Sequence, residues 1–198
     1  PAAPRPTQRA TAAASPRQVE CVSGVMVREA VPPLAWPAMD GFRIEARVPR
    51  DLPAAELDAA VALQRELDLE RAPDEPLVPA EVYRTRLTHT GSDAARQAWV
   101  AFDAAGGLAG IAALELPLTS NEHLAFSWVG VRPDARRRGL GRALVARAVA
   151  AAKDGGRTVL MTFIDDRLPG GLAFATALGL EVGSEMHTHE VVLARVDR

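Results

Sequence analysis

The chain has 198 residues, a length for which one domain with an additional segment is expected. Hydrophobic residues make up 48% of it, and 25 acidic against 23 basic residues give a net charge of −2, which argues against general binding to nucleic acid or an anionic membrane. The chain has a single cysteine, Cys21, and no apolar run long enough for a membrane span, so an intrachain disulfide and a spanning helix are both excluded. We expect a cytoplasmic protein.

Residues 1–40 are predicted to form a disordered or irregular N-terminal segment. Residues 1–19 are rich in Ala, Pro, Ser and Thr and contain no acidic residue, a composition that cannot bury enough surface to offset its ordering entropy. Three prolines between residues 32 and 37 extend the irregular region. The chain begins with Pro1 rather than Met, as expected for a processed or excised piece of a longer protein. The folded domain is expected to occupy residues 41–198.

After residue 40, the hydrophobic pattern predicts seven strands and four helices in the order β-α-α-β-β-β-α-β-α-β-β. The first helix is expected to follow Asp51, a good N-cap residue, and the last helix is expected to end at Gly179. The predicted strands are 42–48, 97–102, 108–116, 124–131, 158–164, 180–186 and 189–196. The first predicted helix ends near residue 69, and the second spans 80–88. The third extends from the loop after residue 139 to residue 152, and the fourth spans 169–178.

One stretch, residues 131–142, carries the strongest chemical signal. Pro133 ends the predicted strand because it has no N–H to donate, and a basic loop then leads into a helix N-terminus. Between residues 132 and 142, five arginines and one aspartate give a net charge of +4. First-turn amides without intrahelical partners, together with the helix dipole, favour an anion here. Gly139 and Gly141 remove Cβ atoms that would keep a phosphate away from the backbone. The loop is therefore predicted to bind a pyrophosphate.

The residues of this loop resemble the signature of a known family. Arg136-Arg137-Arg138-Gly139-Leu140-Gly141 is similar to the R/Q-x-x-G-x-G/A motif of the GNAT superfamily of N-acetyltransferases, and Val131-Arg132-Pro133 is similar to the V-x-P that precedes it. The resemblance implies an α/β (α+β) fold with a mixed central sheet of about six to seven strands and flanking helices. Two alternatives are an arginine-rich solvated loop and a pyrophosphate site for another nucleotide.

The resemblance also implies a coenzyme and its site. Acetyl-CoA would be the acyl donor, with no metal required. Backbone amides of the loop would bind its pyrophosphate, and backbone groups of the preceding strand would bind the pantetheine arm. The strands at 124–131 and 158–164 would splay apart so that the thioester reaches the amine. The implied coenzyme-binding residues are Val129, Val131, Arg136, Arg137, Arg138, Gly139, Leu140, Gly141 and Arg142.

The catalytic residues are less clearly indicated. Many family members carry a general-acid tyrosine in the helix before the last strands, but Ala175 stands at that position and the only tyrosine is Tyr83. Solvent could serve as the acid, because a thiol with a pKa near about 8.5 leaves readily. An alkyl amine needs a base before it can attack. The candidate bases are Glu115, Glu122 and Asp165, each of which is also readable as a surface carboxylate.

These observations predict an N-acetyltransferase that moves the acetyl group of acetyl-CoA to a primary amine of a small molecule by direct attack in a ternary complex. The alternative is a non-catalytic acyl-CoA-binding module, such as one half of a tandem GNAT protein. Ala175 and the similarity of residues 169–179 to the N-terminal halves of such proteins support it. A homodimer or a second GNAT domain is a possible partner. His187 and His189 provide at most two ligands, too few for a metal site.

Overall fold

Seven strands form one sheet in the part of the chain that the computed structural model describes. That part comprises residues 21–28, 41–89, 91–165 and 167–187, with only the backbone described for 21–28, 169 and 184–187. The strands are β1 (Cys21–Arg28), β2 (Phe42–Arg47), β3 (Ala94–Asp103), β4 (Leu108–Pro117), β5 (Leu124–Val131), β6 (Val159–Asp165) and β7 (Glu181–His187). The helices are α1 (Ala54–Arg71), α2 (Ala80–Thr88), α3 (Leu140–Asp154) and α4 (Pro169–Ala177).

The sheet is mixed, with the order β2-β3-β4-β5-β6-β1-β7. This confirms the predicted α/β class and the expected six to seven strands. The predicted elements between residues 42 and 186 are all present, but α1 begins at Ala54 rather than at Asp51. Asp51 belongs to a short 3-10 turn, and Pro53 follows as the cap of α1. The strand predicted at 189–196 lies outside the described residues.

Strand β1 differs from the irregular structure predicted for residues 1–40. It lies between β6 and β7 and pairs antiparallel with both. Valines at positions 22, 25 and 27 favour a strand, since β-branched side chains suit a pleated sheet. The composition that predicts disorder therefore ends before Cys21. The remainder of that segment, 1–20 and 29–40, lies outside the described residues.

The neighbouring strands β5 and β6 separate along their length. Parallel pairing joins only Leu124–Phe126 to Val159–Met161. Beyond that point β5 stays paired with β4 and β6 with β1. A gap therefore opens between β5 and β6 towards the end of β5, as the family resemblance implies.

Helices cover both faces of the sheet and enclose two cores. On one face, Leu140 and Leu144 of α3 are fully buried, and alanines at 148 and 152 let this helix lie close to the sheet. On the other face, Ala60 and Leu63 of α1 pack against Val100, Phe102, Leu108 and Ile111. The gap between β5 and β6 therefore lies between the α3 layer on one face of the sheet and the α1 layer on the other. Within the described residues, no helix combines the length and apolarity needed to cross a membrane.

Candidate functional site

The loop between β5 and α3 is built around two left-handed residues. A short 3-10 turn at Pro133–Ala135 follows the strand, and Arg137 then has φ 61°. Gly139 caps α3 with φ 84° and ψ −10°. Glycine is the residue that adopts this conformation without steric cost. The chain can therefore turn sharply from the end of β5 into the first turn of α3.

This turn leaves a row of amides without acceptors. Within the described residues, the N–H groups of Gly139, Leu140, Gly141 and Arg142 make no hydrogen bond to a protein acceptor, and the first bond of the helix is Ala143 N–H to Gly139 O at 3.0 Å. Four free amides thus stand at the positive end of the dipole of a fifteen-residue helix. The arrangement suits a phosphate or pyrophosphate.

Two of the five loop arginines are paired with carboxylates of the protein. Arg132 holds Asp134 at 2.6 Å and Asp103 at 2.9 Å, and it also donates to the Leu108 carbonyl. Its hydrogen bonds lower the pKa of both aspartates. Arg132 therefore links the start of the loop to the β3–β4 hairpin, and the two aspartates neutralise its charge.

Arg136 is the second structural arginine. It forms a two-pronged pair with Glu70 of α1, at 2.6 and 2.5 Å, and its Nε donates to the Val131 carbonyl at 3.0 Å. Its own amide donates to the Pro133 carbonyl. The hydrogen bonds from Arg136 outweigh burial and hold the pKa of Glu70 below its ordinary value. Arg136 was predicted to bind the coenzyme, yet its side chain and amide are both engaged within the protein.

The other three arginines keep their charge available. Arg137 is exposed, Arg138 lies over the Phe42 ring at 4.4 Å, and Arg142 reaches the Ala177 carbonyl at 3.4 Å. None of the three makes an ion pair with a carboxylate among the described residues. They leave the anion site positively charged.

The backbone of β5 offers donors and acceptors to the gap. Arg132 N–H donates to Ala109 O in β4, and alternate residues of a strand direct their backbone groups to the same neighbour. The backbone groups of Val129 and Val131 therefore point away from β4 and into the gap. Val129 keeps its groups available, whereas the Val131 carbonyl already accepts the bond from Arg136. The side chains of both valines pack against the α3 core, as predicted.

Helix α4 contacts residues 132–142, which we call the anion loop, but it provides no general acid. A Cβ on Gly141 would lie 3.2 Å from Cζ of Phe174, so this ring packs closely against Gly141. Ala175, at the position of the family's tyrosine, is only 2% exposed. Its methyl group is part of the packing and carries no proton to donate.

The three candidate bases do not converge. Asp165, at the end of β6, accepts hydrogen bonds from Arg167 at 2.8 Å and Arg71 at 3.2 Å. Burial works to raise its pKa, but these bonds outweigh burial and the pKa is lowered. A carboxylate held by two arginines is a weak base.

The other two carboxylates lie elsewhere. Glu115 faces the α1 side of the sheet and is paired with Arg96 at 2.6 Å. Glu122 is exposed in the loop before β5. Tyr83, the only tyrosine, is buried and donates to Asp68, and burial together with that bond raises its pKa. Its hydroxyl proton is therefore held in a hydrogen bond to a side chain of α1.

A cavity of about 260 Å³ lies where the gap meets the α1 and α2 face of the sheet. It is lined by α2, by the segment around Pro49 and by strands β3 to β6, and it is open to solvent on one side. Ser127, which is 8% exposed, lines it from β5. Its apolar wall consists of Pro49, Leu52, Leu87, Ala98, Ile111, Ala113, Leu114, Phe126, Trp128 and Phe163, and its polar residues are Arg86, Arg96, Gln97, Glu115 and Ser127.

Sequence reasoning missed most of this cavity. Its walls come from six separate elements, so no short spacing links residues such as Arg86 and Phe163. Glu115 was the one predicted site residue among them. Within the described residues, no cluster of three His, Cys, Asp or Glu side chains could hold a metal ion.

Comparisons with known proteins agree with this geometry. A family model described as the GNAT acetyltransferase family matches residues 62–180. No curated protein gives a significant match. Among solved structures, a tandem GNAT protein from the clavulanic acid biosynthesis pathway is 17% identical with a TM-score of 0.67, over 87% of this chain and 53% of that one. A GCN5-related N-acetyltransferase from Sphaerobacter thermophilus is 19% identical with a TM-score of 0.60, over 87% and 51%.

A third structure is yncA from Salmonella typhimurium, solved with its cofactor acetyl-CoA; it is 19% identical with a TM-score of 0.51, over 69% of this chain and 79% of that one. The chain thus spans about half the length of the first two of these proteins. At such identities the structural likeness establishes the fold, and the family model, which matches more than half of the chain, establishes the family. The chain belongs to the GNAT family of acetyltransferases.

Proposed function

We propose that the chain is an N-acetyltransferase that transfers the acetyl group of acetyl-CoA to a primary amine of a small molecule. The observation that carries this proposal is the position of the four free amides of residues 139–142. They lie beside a gap in the sheet that leads to a cavity on the opposite face. A coenzyme held by its pyrophosphate at the amides would extend its pantetheine arm along the gap.

The residues present fit this coenzyme. The free amides, with the charges of Arg137, Arg138 and Arg142, would hold the pyrophosphate, and the backbone of Val129 would hold the arm. Acetyl-CoA supplies an acetyl group activated as a thioester. Arg136 has a different role in the proposal: its bonds to Glu70 and Val131 fix the loop to α1.

The chain's own contribution to the reaction is positioning. An alkyl amine attacks only when neutral, and both Asp165 and Glu115 are held by arginines. In this proposal the amine loses its proton to water in the cavity and attacks the thioester directly. A C–N bond forms, the C–S bond breaks, the nitrogen releases a second proton to water as the amide forms, and solvent protonates the leaving thiolate. No covalent intermediate on the protein is required.

A second candidate is a non-catalytic acyl-CoA-binding module. The burial of Ala175 and the arginine pairs of Asp165 and Glu115 favour it, because they leave the described residues without an evident acid or base. As one half of a longer tandem protein, such a module would bind coenzyme while a second domain or a second copy provides the acceptor site.

Thermal melting with acetyl-CoA, CoA and ATP, each in excess, tests the coenzyme site. A ligand at about 100 times its dissociation constant stabilises by about 2.7 kcal/mol. We expect a shift with both CoA species and none with ATP. An equal shift with ATP would indicate a general nucleotide site, and no shift at all would contradict both candidates.

Release of free thiol then separates the two candidates. Turnover of acetyl-CoA with any member of a panel of primary amines, above the rate without amine, supports the enzyme. Binding of acetyl-CoA without turnover supports the module.

A further inference from the structure

The cavity of about 260 Å³ beside the gap would hold the amine acceptor in the proposed function. The family motif does not specify which side chains line it. The chain is poor in aromatic residues, which make up 5% of it. Three of the nine, Phe126, Trp128 and Phe163, nevertheless line this cavity. Leu52, Leu87 and Ile111 add aliphatic surface. Removing apolar ligand surface from water against such walls is favourable. The cavity therefore favours a ligand with an apolar body.

The charged groups at the cavity are unequal in sign. Arg96 and Glu115 neutralise each other at 2.6 Å, and Arg96 also donates to the His89 carbonyl. Arg86 lines the same cavity and is exposed on α2, and it has no ion-pair partner among the described residues. One positive charge therefore remains uncompensated. This charge attracts an anionic group on the ligand and repels a polycation.

The cavity is also small. Its volume of about 260 Å³ lies just below the range of about 300–1,000 Å³ that is usual for small-molecule sites. The space suits a compact molecule of amino-acid size. Phe126 and Phe163 lie on the two sides of the gap between β5 and β6, so a molecule in the cavity would have one end at the gap.

Resting on the proposed function, we infer that the acceptor is a small amino carboxylate with an apolar body, in which the carboxylate pairs with Arg86, the apolar body contacts the aromatic wall and the primary amine faces the gap. Hydrophobic amino acids belong to this class. Polyamines and aminoglycosides do not, because the described cavity holds no unpaired carboxylate to recognise additional ammonium groups.

Matched pairs of amines test the inference through thiol release. L-phenylalanine is compared with phenethylamine, and 4-aminomethylbenzoate with benzylamine, since each pair differs by one carboxylate. L-serine and spermidine represent polar and polycationic acceptors. In at least one pair we expect kcat/KM to be about tenfold higher for the carboxylate-bearing member, the size expected for a hydrogen bond to a charged group.

The variant Arg86→Gln is expected to abolish the difference within that pair. The matched control is Arg84→Gln, on the same helix, because Arg84 is paired with Asp58 and does not line the cavity. This control should retain the ratio. An unchanged ratio in Arg86→Gln would overturn the role of Arg86.

The outcomes separate this inference from the proposed function. Turnover that favours spermidine, serine or the carboxylate-free amines supports the proposed function and overturns the inference. No turnover with any amine contradicts the proposed function. Calorimetry of the same probes in the presence of CoA then decides the inference: binding of a carboxylate-bearing probe that Arg86→Gln weakens supports it, and absence of such binding overturns it.

Discussion

The anion loop at 132–142 and the cavity on the opposite face of the sheet present different kinds of chemical group to a ligand. The loop presents backbone amides, fixed in direction by Gly139 and by the start of α3. The cavity presents side chains from six elements, and Arg86 is its one charged residue without an ion-pair partner in the described part of the chain. Backbone groups are common to every sequence that adopts the turn, whereas side chains change with each substitution. In the proposed function, a change that redirects the loop amides should therefore weaken ligand binding more than the loss of any one side chain.

The largest effect is expected when the direction of the amides is changed. Gly139→Val places a β-branched residue at φ 84°, a conformation that costs an L-residue about 1–2 kcal/mol. Relief of this strain would change the direction of the amides at the start of α3. We expect acetyl-CoA to bind at least about 100-fold more weakly, which corresponds to about 2.7 kcal/mol, as measured by isothermal titration calorimetry.

Gly106→Val is the matched control for that strain. Gly106 has φ 83° in the β3–β4 hairpin, and a Cβ there meets nothing within 4 Å. Both variants should lose a similar part of their thermal stability, but only Gly139→Val should lose the coenzyme. An equal loss of binding in both would mean that Gly139→Val acts through general destabilisation.

A smaller effect is expected on the acceptor side. Phe163 lines the cavity but is 49% exposed, so Phe163→Ala removes apolar contact with the amine at little cost to the fold. About half of the contribution of a buried side chain, about 1 kcal/mol, would be lost. We expect KM for an apolar amine to rise about fivefold, with the affinity for acetyl-CoA retained.

Leu172→Ala provides the comparison for Phe163→Ala. Leu172 is 46% exposed on α4 and does not line the cavity. It should leave KM for the amine as in the parent protein. A similar rise in both variants would argue that loss of surface packing, and not loss of the cavity wall, changes KM.

The fold was largely predictable because its signals are local. Alternation at 42–48, the apolar run at 124–131 and the small-residue helix after 139 each determine an element within about ten residues. The strand at Cys21–Arg28 was missed because it follows a segment of disordered composition. Its partners β6 and β7 also lie more than 130 residues away along the chain.

The partners of charged residues were not predictable for the same reason. Arg136 meets Glu70 across 66 positions, and Asp165 meets Arg71 across 94. The motif correctly identifies which residues form the turn, but it does not state which arginines have carboxylate partners. Counting charge along the loop gives +4, whereas Asp103, Asp134 and Glu70 are all paired with its arginines. The arginine partners of Asp165, one of the three candidate bases, were unpredictable in the same way.

The smallest expected effect concerns Arg136, and it tests whether this arginine supports the loop or binds the ligand. Glu70→Gln removes its partner. Because both side chains are about one-third exposed, we expect a loss of stability of no more than about 1 kcal/mol at neutral pH. The folded-state pKa of Glu70 is lowered, so the pair stabilises the protein above the ordinary value of 4.5 and loses its effect as the pH falls through the folded-state pKa.

The difference in melting temperature between the parent protein and Glu70→Gln should therefore be constant near neutral pH and shrink in acid. Glu122→Gln is the control, since Glu122 makes no ion pair among the described residues and its replacement removes a carboxylate without breaking a pair. The decisive measurement is the affinity of Glu70→Gln for acetyl-CoA, because this variant removes the carboxylate partner of Arg136. If Arg136 only fixes the loop, Glu70→Gln leaves acetyl-CoA affinity the same or slightly weaker. A clear increase in affinity would show that Arg136 turns to the phosphates once Glu70 releases it, and the division between structural and available arginines would then be wrong.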